Sequence, residues 1–220
     1  MEWICDRIKL TTFQLKCIAI ISMAVDHTGA ILFPEKIVLR YIGRLAFPIF
    51  CFLLVEGFFH TRDIYRYMKR ILIFAFISEI PYDLAFRGTV LEFEHQNVFF
   101  TLFFGVLLMY VLGRAGEWPE KVMEVLIVMW VTVTLHTDYS YKGILLVVLF
   151  YLLRNRRWLR TVAGAAWNFI WNSSVQGYGA LAMIPIAFYS GERGRSMKYF
   201  FYVFYPLHLL ILYGIGRWMI

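Results

Sequence analysis

Residues 14–33 read QLKCIAIISMAVDHTGAILF, and residues 37–59 read IVLRYIGRLAFPIFCFLLVEGFF. Each stretch is close to the roughly 20 residues that a helix needs to cross the hydrocarbon layer of a bilayer. Both are apolar along most of their length, yet the first contains Asp26 and His27 and the second contains Arg44. A signal peptide would continue its apolar region where Asp26 and His27 stand. We therefore expect the first stretch to be a retained transmembrane helix, followed at once by another.

The composition extends this interpretation to the whole chain. Hydrophobic residues make up 60% of the 220 residues and charged residues 17%, against roughly 45–50% and about 25% in average soluble domains. One soluble core cannot hide that excess, so we expect an all-α integral membrane protein, a polytopic bundle of about eight to nine transmembrane helices. We expect a single domain over residues 1–220. The apolar segments are 14–33, 37–59, 67–86, 96–113, 120–136, 138–153, 157–171 (the weakest), 176–190 and 199–218.

Lys and Arg residues are distributed unevenly between the two ends of these segments. If successive segments cross the membrane alternately, most of the 22 Lys and Arg residues fall on the side of the N-terminus. Cytoplasmic loops retain such residues, so we expect a cytoplasmic N-terminus and a location in the cytoplasmic (inner) membrane. The net charge of +7 then requires no nucleic-acid partner. The outer side has only Lys36, Arg40, Arg87, Lys142 and Arg217.

Ionisable residues of three predicted helices are expected at a similar depth. At 1.5 Å per residue, His27 lies about 20 Å from the cytoplasmic face, Glu79 about 18 Å and Asp83 about 24 Å. Arg44 enters from the outer side and also lies about 20 Å from the inner face. An ionisable group in hydrocarbon is unfavourable by several kcal/mol, so each of these residues is a functional candidate.

Helical spacing adds further candidates near this depth. Arg40 lies four residues before Arg44 and shares its helix face, as Glu79 does with Asp83. His208 lies near the middle of the last segment and is either a second candidate base or a hydrogen-bonded packing residue. Other polar residues begin or end segments on the outer side: Gln96, Asn97, Asp138, Tyr139 and Lys142.

A buried His beside carboxylates suits general-base chemistry, because its unperturbed pKa is close to neutrality. A transmembrane acyltransferase would use it to deprotonate an acceptor hydroxyl or amine. A proton-coupled carrier or flippase would use the same groups as a relay. Structural roles also remain open: Arg44 and Glu79 as an ion pair between helices, and Asp83, Asp138 and Lys142 as solvated helix ends. We expect no metal site, since ligands at regular spacing are lacking.

Six blocks between Leu15 and Tyr213 carry a resemblance to a known family: LKCIAIISMAVDH (15–27), LRYIGRLAFPIFCFLLVEG (39–57), HTRDIYRYMKR (60–70), SEIPYDLAF (78–86), QNVFFTL (96–102) and FYPLHLLILY (204–213). In their order and placement they are similar to the TraX family of membrane proteins. TraX itself is the N-acetylase of pilin subunits in F-type conjugation. The family is related to the wider acyltransferase-three superfamily, whose last helix the YPLHLLIL block resembles.

This resemblance implies an O- or N-acetyltransferase that takes an acetyl group from cytoplasmic acetyl-CoA and transfers it to an acceptor at or across the membrane. It leaves a peptide amine, a sugar hydroxyl and a lipid head group open as the acceptor. His27 is the implied general base, with His208 as the second candidate. Asp26 or Glu79 would orient the base, and Arg44 would stabilise developing negative charge or fix the acceptor.

The resemblance also suggests where the two substrates bind. Basic cytoplasmic loops would receive the phosphates of CoA, and the predicted residues are Arg62, Arg66 and Arg70. The acceptor is expected at the polar residues of the outer side, namely Arg40, Asp83, Gln96, Asn97, Asp138, Tyr139 and Lys142.

Overall fold

The computed structural model describes residues 9–114, 116–171 and 175–219. The regular structure of these residues is helical, which confirms the all-α class. The elements in chain order are α1 (Thr12–Ile31), α2 (Ile37–Gly43), α3 (Ala46–His60), α4 (Ile64–Arg87), α5 (Val98–Leu112), α6 (Trp118–Thr134), α7 (Ser140–Leu152), α8 (Arg157–Ile170), a 3-10 helix (Gln176–Ala182), α9 (Met183–Ala187) and α10 (Lys198–Met219).

Two helical stretches are long and apolar enough to cross a membrane: Ile37–His60, which contains α2 and α3, and Tyr199–Met219 within α10. Helices α5 and α7 are apolar but shorter. Helices α1 and α4, with 20 and 24 residues, have the length for a layer of about 30 Å but carry ionisable side chains. The number of eight to nine crossings therefore stays a prediction.

The second predicted segment is two helices with a turn at Arg44 and Leu45. Pro48 in the first turn of α3 explains the break. A proline has no backbone N–H, so it cannot donate to the carbonyl group of Arg44 four residues earlier. Helix α2 can therefore pack on α1 at an angle of its own, which places its arginines against the polar residues of α1.

The segment predicted at 176–190 is also shorter as a helix than expected. It consists of seven residues of 3-10 helix and five of α-helix, which together extend over about 22 Å. That length falls short of the hydrocarbon layer of a typical bilayer. Near the end of this segment, Tyr189 pairs with Leu10, which precedes α1, in an isolated β-bridge.

Helix α8 is amphipathic in the inverted sense. Its polar residues point inward: Arg160 is 6% exposed and Asn168 is fully buried. Its apolar residues point outward, with Val162 65% and Phe169 71% exposed. A helix of a soluble protein shows the opposite arrangement. The weakest of the predicted segments thus has the surface expected of a helix that faces lipid.

A buried apolar core is formed by side chains of α1, α3, α4, α5, α7, α9 and α10. Its fully buried side chains include Ile49, Phe52, Phe150 and Leu209. The rings of Phe52 and Phe150 meet edge to face, with centroids 6.1 Å apart. Along α3 this core separates two polar regions, one at the turn before the helix and one near Glu56 at its other end.

Candidate active site

Asp26 of α1 is the centre of the first polar region. It is 5% exposed, and its Oδ2 accepts hydrogen bonds from Arg40 Nη1 at 2.8 Å and from Arg44 Nη2. Arg40 Nη1 also donates to the backbone carbonyl of Asp26 at 3.1 Å. A Cβ at position 43 would collide with the Asp26 side chain, so Gly43 allows this close approach of α2. Arg44 therefore pairs with Asp26, and not with Glu79.

His27 of α1 and His208 of α10 form a direct pair. His27 Nδ1 lies 2.7 Å from His208 Nε2, and the two rings are nearly parallel, with an angle of 7° between them. His208 Nδ1 lies 2.8 Å from the carbonyl oxygen of Phe204. Because that oxygen only accepts, His208 Nδ1 carries a proton, and in the neutral pair its Nε2 accepts from His27 Nδ1. In this arrangement of hydrogen bonds, His27 Nε2 is the unprotonated nitrogen and can accept a proton.

Aromatic rings hold His27 in this orientation. Phe86 and Tyr205 meet the imidazole edge to face, at centroid distances of 5.3 and 6.0 Å. His27 and His208 were alternatives for the base in the sequence, and the structure brings them together as one unit. Asp26 is the neighbour of His27 in sequence, but its side chain points to a different side of α1. It contacts the two arginines instead of His27.

A small cavity lies beside this pair. Its volume is about 30 Å³, which is room for one or two water molecules. Asp138 is exposed, so the cavity reaches the protein surface at this residue. An acetyl group needs side-chain movement to enter. Polar and aromatic residues of the lining include Asp26, His27, Phe47, Asp138, Tyr139 and Tyr205.

The loop between α6 and α7 brings Asp138 and Tyr139 to the cavity. His136 and Ser140 on either side have φ angles of +49° and +45°, a conformation that is uncommon for residues other than glycine and is often retained at functional sites. The backbone of Gln96 holds the loop. Its N–H donates to the His136 carbonyl at 3.1 Å, and its carbonyl accepts from the Asp138 N–H at 2.9 Å.

Glu79 and Asp83 form a separate acidic group at the end of α4. Glu79 Oε2 accepts from the side-chain amide of Asn97 and, at 3.4 Å, from its backbone N–H. Asp83 Oδ2 accepts from the backbone N–H of Glu92 at 2.9 Å. These carboxylates therefore hold the loop before α5 and do not pair with the arginines of α2.

Within the described ranges, no three His, Cys, Asp or Glu residues form a group that would hold a metal ion.

The remaining candidates lie farther from His27. Lys142 Nζ donates to the carbonyl oxygen of Trp171 at 2.8 Å and so caps the end of α8. Arg62 and Arg66 are exposed at the start of α4. Arg70 lies over a tyrosine ring of its own helix, sixteen residues before Phe86, which is about 24 Å along the helix.

A second polar region was not singled out from the sequence. Arg154 donates two hydrogen bonds to the carboxylate of Glu56, at 2.9 and 3.2 Å. Arg160 is buried nearby and donates to the carbonyl oxygen of Arg154 at 3.0 Å. The available signals were an isolated acid in the apolar run of α3 and two arginines, Arg157 and Arg160, three residues apart on one helix face.

Comparisons with known proteins agree over most of the chain. The sequence model of the family described as "TraX protein" matches residues 12–216. "Probable fimbrial assembly protein FimC, serogroup H1" of Dichelobacter nodosus is 31% identical over 235 aligned residues, which cover 93% of this chain and 95% of that relative. "Uncharacterized protein RP591" of Rickettsia prowazekii (strain Madrid E) is 32% identical over 102 residues, 46% of this chain and 38% of that relative. No solved structure matches the chain.

Proposed function

Because this chain belongs to the TraX family, we propose that it is a membrane-embedded acetyltransferase that moves an acetyl group from cytoplasmic acetyl-CoA to an acceptor amine or hydroxyl. The observation that supports this function best is the oriented pair of His27 and His208. The pair presents an unprotonated nitrogen beside a cavity and next to two arginine side chains. Acyl transfer from a thioester requires such a base and such positive charge.

In the proposed reaction, His27 Nε2 takes the proton of the acceptor N–H or O–H while the acceptor attacks the thioester carbonyl carbon. A C–N or C–O bond forms, the C–S bond breaks, and the sulfur leaves as a thiol after it receives that proton from His27. During the reaction His208 stabilises the imidazolium of His27 by accepting its Nδ1 proton in the 2.7 Å hydrogen bond. The carbonyl oxygen of Phe204 keeps His208 in the tautomer that accepts.

Arg44 is the proposed donor to the negative charge that develops on the thioester oxygen. Its Nη2 is engaged by Asp26, but its buried Nε has no hydrogen-bond partner. The charge of Arg44 acts on His27, so the donor and the base lie within electrostatic range of each other. In this arrangement Asp26 holds the two arginines in place and takes no part in proton transfer.

A multi-pass location in the cytoplasmic membrane is part of this proposal. The inverted amphipathic pattern of α8 supports it, and so does the outer face of α6. That face exposes a continuous set of apolar side chains, namely Val122, Met123, Leu126, Ile127 and Trp130. Apolar surface of this extent would be unfavourable in water and marks contact with lipid or protein.

We assign the acceptor to a subunit of a fimbria or pilus. The support is the name of the Dichelobacter nodosus relative, a fimbrial assembly protein. An amine is the favoured acceptor group, because the carboxylate of Asp138 at the cavity attracts a protonated amine. The ammonium group loses one proton to water before it attacks, and His27 takes the second proton during the attack and passes it to the sulfur.

The test is the release of CoA thiol from acetyl-CoA by the purified full chain in detergent. We expect His27→Ala to lower the rate by about 10²–10⁴-fold, the usual contribution of a general base. His208→Ala should lower it less, because the base itself remains. The matched control is His95→Ala, since His95 is exposed and lies outside the pair. A folded wild-type chain that neither binds nor cleaves acetyl-CoA would instead favour a proton-coupled carrier.

A further inference from the structure

Three arginines meet where α7 ends and α8 begins: Arg154, Arg157 and Arg160, called here the arginine cluster. Arg154 forms the ion pair with Glu56. Within the described residues, neither Arg157 nor Arg160 has an ion pair with a carboxylate. The charge of Glu56 also acts on Arg160, but Arg154 and Arg157 oppose it by repulsion. Glu56 thus pairs with Arg154 and attracts Arg160, while Arg157 adds a third positive charge near Arg160.

The cluster is buried enough for this excess charge to matter. Arg160 is 6% exposed, and its guanidinium lies over the Phe52 ring, 4.6 Å from the ring centroid. The Nε atoms of Arg157 and Arg160 are both buried without a hydrogen-bond partner. Buried charge without a partner is strongly unfavourable. The cluster therefore has two positive charges in excess and two Nε–H donors without partners, which an anion would satisfy if the side chains move to admit it.

We propose that the arginine cluster binds a phosphate group of an anionic ligand. Guanidinium groups match the geometry of phosphate oxygens through paired hydrogen bonds. Helix α8 begins at Arg157 without a side-chain cap, so its first backbone N–H groups and the positive end of its dipole face the same ligand. The phosphate comes either from the CoA part of the acyl donor, which rests on the proposed function, or from an anionic phospholipid head group.

The position of the arginine cluster fits an extended acyl donor. Glu56 lies nine residues after Phe47 on α3, which is about 14 Å along the helix, and Phe47 lines the cavity beside His27. A donor with its phosphates at the cluster can thus direct its acyl end toward the base. In this arrangement the cluster, and not the exposed Arg62 and Arg66, holds the phosphates.

The experiment measures the binding of CoA by calorimetry to the full chain in nanodiscs of phosphatidylcholine alone. We expect Arg157→Gln to weaken CoA binding by about tenfold, the effect of losing one charged hydrogen bond. The matched control is Arg156→Gln, the same change at the exposed neighbouring residue, and it should change the affinity less than about twofold. Arg160→Lys keeps the buried charge but removes the fork, and it should also weaken binding.

A parallel arm separates the two sources of phosphate. If a lipid occupies the cluster, nanodiscs that also contain phosphatidylglycerol should raise the melting temperature of the wild type more than that of Arg157→Gln. In that case Arg157→Gln should bind CoA as tightly as the wild type does. If neither CoA nor phosphatidylglycerol distinguishes Arg157→Gln from Arg156→Gln, the phosphate site is overturned. Acetyl transfer with an unchanged KM for acetyl-CoA in Arg157→Gln, in a chain that phosphatidylglycerol does not stabilise, removes the site and leaves the proposed function. CoA binding at the cluster without acetyl transfer removes the function and leaves the site.

Discussion

The two polar regions of this protein differ in how their charges are balanced. In the central polar cluster, defined as Asp26, Arg40 and Arg44, both arginines donate to one buried carboxylate. The carboxylate of Asp138 lies within electrostatic range of Arg44 and supplies a second negative charge. In the arginine cluster at the other end of α3, Glu56 pairs with Arg154, and Arg157 and Arg160 add two further positive charges.

This difference indicates two different uses of arginine. The two arginines of the central polar cluster are balanced in charge by Asp26 and Asp138 without a ligand, although Arg44 Nε keeps a free donor, so the cluster can hold a fixed geometry around the neutral His27–His208 pair. The arginine cluster is incomplete, because it has donors and charge but too few acceptors. The first arrangement is suited to positioning groups for a reaction, and the second to binding a ligand that brings its own negative charge.

The largest expected effect is from Asp26→Ala, which removes the shared partner of two arginines. We expect a loss of about 3–5 kcal/mol in the free energy of unfolding, because the variant leaves uncompensated charge in a buried site. The measurement is equilibrium unfolding in mixed detergent micelles. Asp63→Ala is the control, since Asp63 pairs with the exposed Arg66 at the start of α4 and should cost about 1 kcal/mol. Equal losses in the two variants would mean that the central polar cluster is not a buried charge network.

A smaller effect is expected from Glu56→Gln at the arginine cluster. The amide still accepts one hydrogen bond from Arg154, so we expect a loss of about 1.5–3 kcal/mol. Added pyrophosphate should recover part of this stability, because it supplies the negative charge that Glu56 no longer gives. It should not stabilise Asp26→Ala, whose arginines lie in the other region. Recovery of both variants by pyrophosphate would contradict the distinction between the two regions.

The close approach of α2 to α1 is tested by Gly43→Ala. The added methyl group collides with the Asp26 side chain, so we expect the variant to lose about 1–3 kcal/mol of stability through overpacking. Gly214→Ala in α10 is the matched control, because an added methyl group there would meet no atom within 4 Å apart from its neighbours in the helix backbone. That substitution should be neutral or should stabilise its helix by up to about 1 kcal/mol. A stability of Gly43→Ala equal to that of Gly214→Ala would show that α2 can move away from Asp26 freely.

Much of the fold and part of the site could be predicted from the sequence. The all-helical class follows from composition, since no soluble core accommodates so many apolar residues. Counting 1.5 Å per residue predicts His27 and Arg44 at one depth, and in the structure Arg44 donates to Asp26, the residue before His27. The depth of His208 was also clear, but its hydrogen bond to His27 depends on how α10 is rotated, which the sequence does not specify.

Other features depend on contacts between distant residues. The pairing of Arg44 with Asp26 follows from the helix break before Pro48 and from the small Gly43. The pattern of charges in the sequence is equally compatible with an ion pair between Arg44 and Glu79. Alternate crossing by the predicted segments assigns Arg154 and Arg160 to the basic cytoplasmic side, with no indication that they meet Glu56. The burial of Arg160 follows from the inverted face of α8, whose outward apolar residues are favourable in contact with lipid or protein. Hydropathy treats such a helix as a weak segment because its polar and apolar residues average out.

The smallest expected effect is that of salt, and it separates the two regions in a single preparation. Raising the ionic strength from 0.1 to 1 M shortens the screening length from about 10 to about 3 Å. CoA binding at the arginine cluster should weaken by about three- to tenfold, because the ligand reaches it from solvent. Turnover at saturating acetyl-CoA should change less than about twofold, because Asp26 and its arginines are fixed before substrate arrives. Arg157→Gln should reduce the salt dependence of CoA binding, whereas Arg156→Gln should retain it. Equal salt dependence in these two variants would mean that the phosphates of CoA bind elsewhere on the basic face.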